Sequence, residues 1–301
     1  MASLNQWIEG ARPRTLPAAI APVLIGTSIA YVELHGSSAG VDWAPFVVRA
    51  LTALIVALAL QIGVNYSNDY SDGIRGTDEV RVGPVRLVGQ KLASPQSVKF
   101  AAFGCFGVAA LGGLILVLLT GTWWLILVGL AAIVAAWFYT GGKHPYGYAG
   151  LGELFVFVFF GLVAVMGSTY VQTLNFPGLA VIGGVASGLL SVAILIVNNL
   201  RDIPTDRLSG KRTLAVRIGD QATRNLYSLT IIAPFFLAAL IALTGYKPAI
   251  IALGALPLAI PPLRIVRSGS NGRDLIPALA GTGKLLLAFA VLLSLGLVIS
   301  A

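Results

Sequence analysis

Residues 198–214 read NNLRDIPTDRLSGKRTL and follow directly on the long apolar run Val181–Val197. Within this stretch Asp202 and Asp206 are four residues apart, so a helix that continues through them places both carboxylates on one face, a turn apart. The cationic side chains in the same turns are Arg201, Arg207, Lys211 and Arg212. The stretch therefore predicts a charged site at the end of an apolar helix.

A second acidic cluster ends another apolar run, within the segment NYSNDYSDGIRGTDE of residues 65–79. Its first four acid or amide side chains are Asn65, Asn68, Asp69 and Asp72. The spacing of Asn68 and Asp72 is four residues, the same as that of Asn198 and Asp202. We interpret the chain as a scaffold that brings these two clusters together at a membrane surface.

The composition is that of a membrane protein. Only 11% of the 301 residues are charged and 57% are apolar, with a mean hydropathy of +0.87, whereas a soluble domain carries about 25% charged residues. Continuous apolar runs favour helices over barrel strands. We predict an all-α polytopic membrane protein, a single domain over residues 1–301, with about nine transmembrane helices around a central apolar chamber and a polar cap on the cytoplasmic side. The predicted spans are Leu16–Leu34, Phe46–Val64, Val98–Leu119, Trp123–Tyr139, Leu151–Tyr170, Pro177–Val197, Leu226–Leu243, Ala249–Leu263 and Ile276–Ile299.

The net charge of +8 could suggest nucleic-acid binding, but its distribution argues against it. Apart from Lys99 and Lys284, which lie within predicted spans, all of the 20 cationic residues except Arg49 and Lys247 fall on one side of the predicted spans. This is the positive-inside pattern of a multi-pass protein in the cell (plasma) membrane. It predicts a cytoplasmic N-terminus, an external C-terminus and both acidic clusters near the cytoplasmic face, with no nucleic-acid partner.

The first 15 residues are predicted to form a short interfacial segment. Trp7 and Ile8 would lie at the level of the lipid headgroups, with Arg12 and Arg14 facing phosphates. Pro13 and Pro17 would then turn the chain into the membrane.

Glu153 lies just inside the fifth apolar run. A carboxylate in a membrane helix costs about 2.5 to 3.5 kcal/mol at the helix centre and less near its end. Two interpretations remain open from the sequence. Glu153 is either a helix-start carboxylate favoured by the helix dipole or a functional group.

The two clusters have the chemistry of a site for magnesium and phosphate. Four carboxylates near one membrane face repel one another unless a positive charge lies between them. Magnesium binds a few carboxylates together with water and substrate phosphates. The candidates for holding phosphate oxygens are Arg75, Arg81, Arg86, Lys143, Arg201, Lys211 and Arg212. The alternative is that the charges form ordinary surface salt bridges. Acid, metal and cations at a lipid interface favour a phosphorylated lipid substrate.

The two clusters resemble the paired signatures of the UbiA superfamily of intramembrane aromatic prenyltransferases. The N-D-x-x-D signature corresponds to residues 68–72, and D-x-x-x-D corresponds to residues 202–206. The usual further Asp four residues after Asp72 is replaced by Gly76, with Asp78 two residues later. That form, together with ARPRTLPAA, PYGYAGLGE and NNLRDIPTDRLSGKRTLAVRIG, is similar to the MenA branch, which prenylates 1,4-dihydroxy-2-naphthoate in menaquinone synthesis.

The resemblance implies a mechanism and a role for each residue. The implied magnesium ligands are Asn68, Asp72, Asp202 and Asp206, with Asp69 supporting them or taking part. The residues that would bind the diphosphate of an allylic polyprenyl donor are Arg81, Lys143, Arg201 and Lys211. Lys143 would also act in catalysis, by neutralising the leaving group. Asp78 and Glu79 would assist the acceptor hydroxyl, and the naphthoate carboxylate would leave as carbon dioxide.

Two alternatives remain. A secondary transporter would carry ionisable residues near mid-membrane, whereas these acids lie at helix ends. A UbiA-type enzyme for another acceptor, such as hydroxybenzoate, homogentisate or haem, is disfavoured by the arrangement of Gly76 and Asp78.

Overall fold

The computed structural model describes residues 2–38, 40–76 and 85–301, and the regular structure in these ranges is entirely helical. The prediction of an all-α chain is therefore confirmed. The helices are α1 (Leu4–Gly10), α2 (Pro17–His35), α3 (Trp43–Ile74), α4 (Pro95–Thr120), α5 (Leu125–Phe138), α6 (Gly152–Thr173), α7 (Gly178–Leu208), α8 (Leu214–Ile218), α9 (Asp220–Leu243), α10 (Lys247–Arg267) and α11 (Gly272–Ile299).

Each of the predicted spans coincides with one of these helices. Within the described ranges, eight helices are long and apolar enough to cross a membrane, and α5 is a shorter apolar helix of 14 residues. Helix α10 contains the predicted span Ala249–Leu263, which includes Pro257, Pro261 and Pro262. It begins as a 3-10 helix, Lys247–Ala255, and continues as an α-helix with Pro257 in its first turn. A proline is tolerated there because the first N–H groups of a helix have no intrahelical partner.

Helices α3 and α7 are much longer than their predicted spans. Their 32 and 31 residues correspond to about 48 and 46 Å, against roughly 30 Å of hydrocarbon. The expected ends at Val64 and Val197 are therefore too early, because polar residues continue both helices to Ile74 and Leu208. These extensions carry the two acidic clusters.

The main core lies between α2, α7, α9 and α11, with α7 the most deeply buried long helix. Helices α6 and α7 cross closely at glycines. A Cβ on Gly161 would lie 2.6 Å from both the carbonyl oxygen of Gly184 and the Cα of Gly188. Small residues allow such close approach between membrane helices. The same part of α6 is a π-helix, Phe157–Val163.

The N-terminal segment packs on the polar end of α3. The Tyr66 hydroxyl donates to the carbonyl oxygen of Trp7 at 2.9 Å, and the two rings meet edge to face. The amide of Asn65 donates to the carbonyl oxygen of Ala11 at 2.9 Å. These contacts place Arg12 in the wall of the large cavity between the helices, and the interfacial position of this segment remains a prediction.

Candidate functional site

A cavity of about 700 Å³ lies between helices α2 to α7. It extends along α3 from Asp72 to Ala53, a distance of about 28 Å at 1.5 Å per residue. The polar end is lined by Arg12, Asn65, Asn68, Asp72, Arg86, Asn198, Arg201, Asp206 and Lys211. The far part is lined by apolar side chains, including Val23, Ala53, Val56, Leu116, Val128 and Val171. The expected apolar chamber with a polar cap is therefore present.

One face of α3 supplies a polar stripe to this cavity. Gln61, Asn65, Asn68 and Asp72 all line it, at the spacing of successive turns of one helix face. Gln61 and Asn65 are held by Thr15, whose hydroxyl oxygen accepts from both amides at 2.8 and 3.1 Å. Gln61 was not among the predicted site residues, although its position four residues before Asn65 was a readable signal.

Asp72 contacts both a hydroxyl group and a cation at the polar end of the cavity. Its Oδ1 accepts from the Tyr148 hydroxyl at 2.6 Å and lies 3.1 Å from the Lys211 ammonium group. That ammonium group also sits 4.6 Å from the centre of the Tyr148 ring. These two contacts fix the direction of the buried Asp72 carboxylate. One turn earlier, Asn68 Oδ1 accepts from the Thr140 hydroxyl at 2.9 Å.

Asp69 has a different environment from Asp72. It is fully buried and is not part of the cavity lining. Its two carboxylate oxygens accept from the backbone N–H groups of Leu87 at 2.6 Å and Val88 at 3.2 Å. The Asp69 carboxylate thus anchors the loop that carries Arg86, and its part in catalysis remains a prediction.

We expect Asp69→Asn to affect mainly stability. An asparagine offers one acceptor oxygen where the aspartate offers two, so one buried N–H of the loop loses its partner, at a cost of about 1 to 3 kcal/mol. Thermal unfolding in detergent should occur at a lower temperature than for the control Asp274→Asn, whose carboxylate is exposed. Equal unfolding temperatures for both variants would contradict the anchoring role.

The second cluster lies at the end of α7, where the helix continues through Pro204. The Arg201 guanidinium donates to both carboxylate oxygens of Asp202 at 2.7 and 2.8 Å, and to Asn198 Oδ1 at 2.7 Å. Asp202 and Asp206 are both buried, and Asp206 lines the cavity, whereas Asp202 lies behind the lining in contact with Arg201. Arg201 is thus bound to a carboxylate of the cluster while also lining the cavity.

Lys211 connects the two clusters. Its backbone N–H donates to the carbonyl oxygen of Asp206 at 2.9 Å, and its side chain pairs with Asp72. The loop after α7 therefore folds back and delivers a cation from the second cluster to the first. This connection holds the ends of α3 and α7 at the same end of the cavity.

The other predicted site residues divide into four groups. Arg86 is buried and lines the cavity. Arg75 donates to the backbone carbonyl oxygens of Thr140 and Gly142, which ties α3 to the turn after α5. Lys143 is exposed and absent from the cavity lining, so the structure does not bring it to the site. Arg212, like Lys143, is exposed and absent from the lining, and Asp78, Glu79 and Arg81 lie outside the described residues.

The donor set at the polar end suits a magnesium ion held together with a phosphate. The predicted ligands are Asn68, Asp72, Asp202 and Asp206, which offer only oxygen atoms, the ligands that magnesium prefers. Asp72 and Asp202 are each in contact with a cation of the protein. In the part of the chain that the structure describes, no three His, Cys, Asp or Glu side chains form a metal-binding group on their own. One or two carboxylates suffice when substrate phosphates and water complete the coordination.

An aromatic wall borders the cavity below its polar end. We use this name for Tyr139, Tyr146, Phe155 and Phe159, which all line the cavity. Tyr146 stacks on Phe155 with ring centres 3.9 Å apart, and Phe155 stacks on Phe159 at 6.1 Å. Tyr139 meets Tyr146 edge to face at 5.5 Å. The Tyr146 hydroxyl donates to the carbonyl oxygen of Ala135 at 2.8 Å, which fixes the ring.

Comparison with known proteins gives concordant results. A model of the UbiA prenyltransferase family matches residues 19–279. The 1,4-dihydroxy-2-naphthoate octaprenyltransferase of Mycobacterium tuberculosis is 54% identical over 97% of this chain and 96% of that protein. The enzyme of the same name from Escherichia coli is 38% identical over 98% of this chain and 95% of that protein.

Solved structures show the same fold at low sequence identity. A UbiA homologue from Aeropyrum pernix has a TM-score of 0.66 at 13% identity and covers 99% of both chains. A UbiA homologue from Archaeoglobus fulgidus, solved with DMAPP and Mg²⁺ bound, has a TM-score of 0.64 at 14% identity, with 98% of this chain and 99% of that chain covered.

Proposed function

Because this chain belongs to the UbiA prenyltransferase family, we propose that it transfers a polyprenyl group from an allylic polyprenyl diphosphate to 1,4-dihydroxy-2-naphthoate. Decarboxylation and release of diphosphate accompany the transfer, and the product is a demethylmenaquinone precursor. The observation that carries this proposal is the long apolar cavity with two acidic clusters at one end, linked through Lys211. Its apolar part suits a polyprenyl chain, and its polar end suits a diphosphate with magnesium.

Different side chains at the polar end would bind the diphosphate and the magnesium ion. Lys211, Arg201 and Arg86 line the cavity and can donate to phosphate oxygens. Oxygen atoms of Asn68, Asp72, Asp202 and Asp206 would hold magnesium. Bound there, magnesium supplies positive charge that stabilises the departing diphosphate. The apolar walls keep water from the allylic cation, so the acceptor ring rather than water captures it.

The proposed location is the cell membrane, with the N-terminus in the cytoplasm, the C-terminus outside and the site near the cytoplasmic face. The distribution of cationic residues supports this orientation, since Arg201 and Lys211 are on the same side as most of the others. Cytoplasmic access suits a water-soluble naphthoate acceptor, and the membrane would supply the prenyl donor.

Purified protein in detergent tests the proposed function directly. A labelled allylic polyprenyl diphosphate is offered with dihydroxynaphthoate, hydroxybenzoate or homogentisate, with and without magnesium. We expect magnesium-dependent product with dihydroxynaphthoate alone, together with released carbon dioxide. Product with a different acceptor would move the assignment within the family. If folded protein gives no product with any acceptor, that result would contradict prenyl transfer and favour a secondary transporter.

Lys211→Gln is expected to raise the KM for the prenyl diphosphate by about 10- to 100-fold, the effect of losing one charge-assisted hydrogen bond. The KM for the acceptor should change little, because the ammonium group lies between the two acidic clusters. Lys247→Gln is the matched control, since Lys247 is exposed at the opposite end of the helices. An unchanged KM for the prenyl diphosphate in Lys211→Gln would exclude Lys211 from diphosphate binding.

A further inference from the structure

Glu153, at the start of α6, is a buried carboxylate with no part in the proposed binding of magnesium or diphosphate. Its exposed fraction is only 7%. Oε1 accepts from the Asn199 amide nitrogen at 2.9 Å. Oε2 is buried and has no hydrogen-bond partner in the described part of the chain. An ionisable group at this depth is costly and commonly marks a functional site, and an unsatisfied buried oxygen calls for a specific explanation.

The partner of Glu153 lines the cavity. Asn199 lies on α7 and is itself buried, with its side chain in the cavity wall. Because a carboxylate oxygen accepts the bond between them, Asn199 gives its NH2 group to Glu153. Its Oδ1 then remains as the acceptor, and no bond to this oxygen is found among residues 2–38, 40–76 and 85–301. Glu153 thus determines which end of the amide is available to a ligand.

The pair adjoins the aromatic wall. Gly152, next to Glu153, fits between Tyr139 of that wall and Leu195 of α7. A Cβ on Gly152 would meet these side chains at 3.2 and 3.3 Å. Phe155 follows Glu153 by two residues and stacks on Tyr146. Asn199 and the aromatic wall line the same cavity, and Gly152 beside Glu153 packs against the wall. A flat apolar surface and one hydrogen-bond acceptor in one cavity suit a hydroxylated aromatic ring.

We propose that this region is the binding subsite for the aromatic acceptor, an inference that rests on the proposed function. The acceptor ring lies against Tyr146 and Phe155, and one of its hydroxyl groups donates to Asn199 Oδ1. Glu153 is a positioning residue that acts through Asn199. A glutamine at position 153 could instead donate to Asn199 Oδ1, which would turn the NH2 group of Asn199 toward the cavity and remove the acceptor.

The test is a double-mutant cycle of Glu153→Gln and Asn199→Leu, with the KM of each substrate measured separately. Each single variant should raise the KM for dihydroxynaphthoate by about 3- to 10-fold, the effect of one hydrogen bond. The KM for the prenyl diphosphate should stay within about twofold. The double variant should match Asn199→Leu, because Glu153 has no effect once Asn199 is absent. Asp274→Asn is the control for loss of an exposed carboxylate. If turnover is too low, calorimetric Kd values for the acceptor give the same comparison.

Three results would overturn the subsite while wild-type transfer remains intact. The first is an unchanged acceptor KM in Glu153→Gln. The second is an equal rise in both KM values with a lower unfolding temperature, which would indicate a purely structural carboxylate. The third is a double variant whose rise in acceptor KM equals the product of the two single rises, which would show that Glu153 acts independently of Asn199. Wild-type protein that prenylates no aromatic acceptor would overturn the proposed function itself, and the subsite with it.

Discussion

Asp72→Asn is expected to lower kcat/KM for prenyl transfer by about 10³-fold, while the protein still inserts and remains helical. The Asp72 carboxylate is buried at the polar end of the cavity, where it accepts from Tyr148 and pairs with Lys211. Asparagine keeps the shape and can still accept from Tyr148, but it removes the negative charge that a magnesium ion and Lys211 both require. Losing a charged group that organises the developing charge of the transition state has an effect of this size. Transfer to dihydroxynaphthoate is measured at saturating magnesium.

The same substitution leaves the Lys211 ammonium group buried beside a neutral residue, which can itself destabilise the protein. Asp72→Asn/Lys211→Gln separates the two effects, because the double variant restores charge balance. Its unfolding temperature should recover toward that of the wild type, while its activity stays lost. Asp42→Asn is the matched control, since Asp42 is exposed at the opposite end of α3. Activity of Asp72→Asn within about tenfold of the wild type would contradict a site built on the two acidic clusters.

Hydropathy was sufficient to predict the helices but not their ends. The apolar runs identify which segments cross the membrane, because burial of a continuous run in hydrocarbon needs no tertiary partner. The polar turns beyond Val64 and Val197 are different, since they remain helical only where other segments bind their side chains. Asn65 is bound by Ala11 and Thr15, and Asp72 by Tyr148 and Lys211. Those contacts cannot be read from a hydropathy pattern.

Spacing along α3 predicted which side chains line the cavity better than proximity in the sequence did. Asn68 and Asp72, one turn apart, both line it because one helix face repeats every three to four residues. Asp69 sits beside Asn68 in the sequence, yet its carboxylate binds the backbone of Leu87 and Val88. Its different environment is determined by a loop 18 residues away.

Side chains on the turn after α5 were the hardest to predict. Lys143 was expected at the site but is exposed, whereas Tyr148, which was not a predicted site residue, contacts Asp72 directly. The geometry of the turn determines that Tyr148 rather than Lys143 reaches Asp72, because Gly142 has a positive φ of 75° and Pro145 redirects the chain. Glu153 was interpreted from its place at a helix start, while its partner Asn199 is 46 residues away. A local pattern carries no information about such a contact.

Removal of divalent cations should reduce prenyl transfer by at least about 10³-fold, and added magnesium should restore it. Asp202→Asn sharpens this prediction. The Asp202 carboxylate is bound by Arg201 on both oxygens, so its charge serves either to hold a metal or only to balance the arginine. If Asp202 is a metal ligand, the magnesium concentration that gives half the maximal rate should rise about 10- to 100-fold in Asp202→Asn. If Asp202 only balances the charge of Arg201, the rate should fall while the magnesium concentration for half-maximal rate stays unchanged. Magnesium titrations of wild type, Asp202→Asn and the exposed control Asp274→Asn distinguish the two, and full activity after chelation would overturn the metal site altogether.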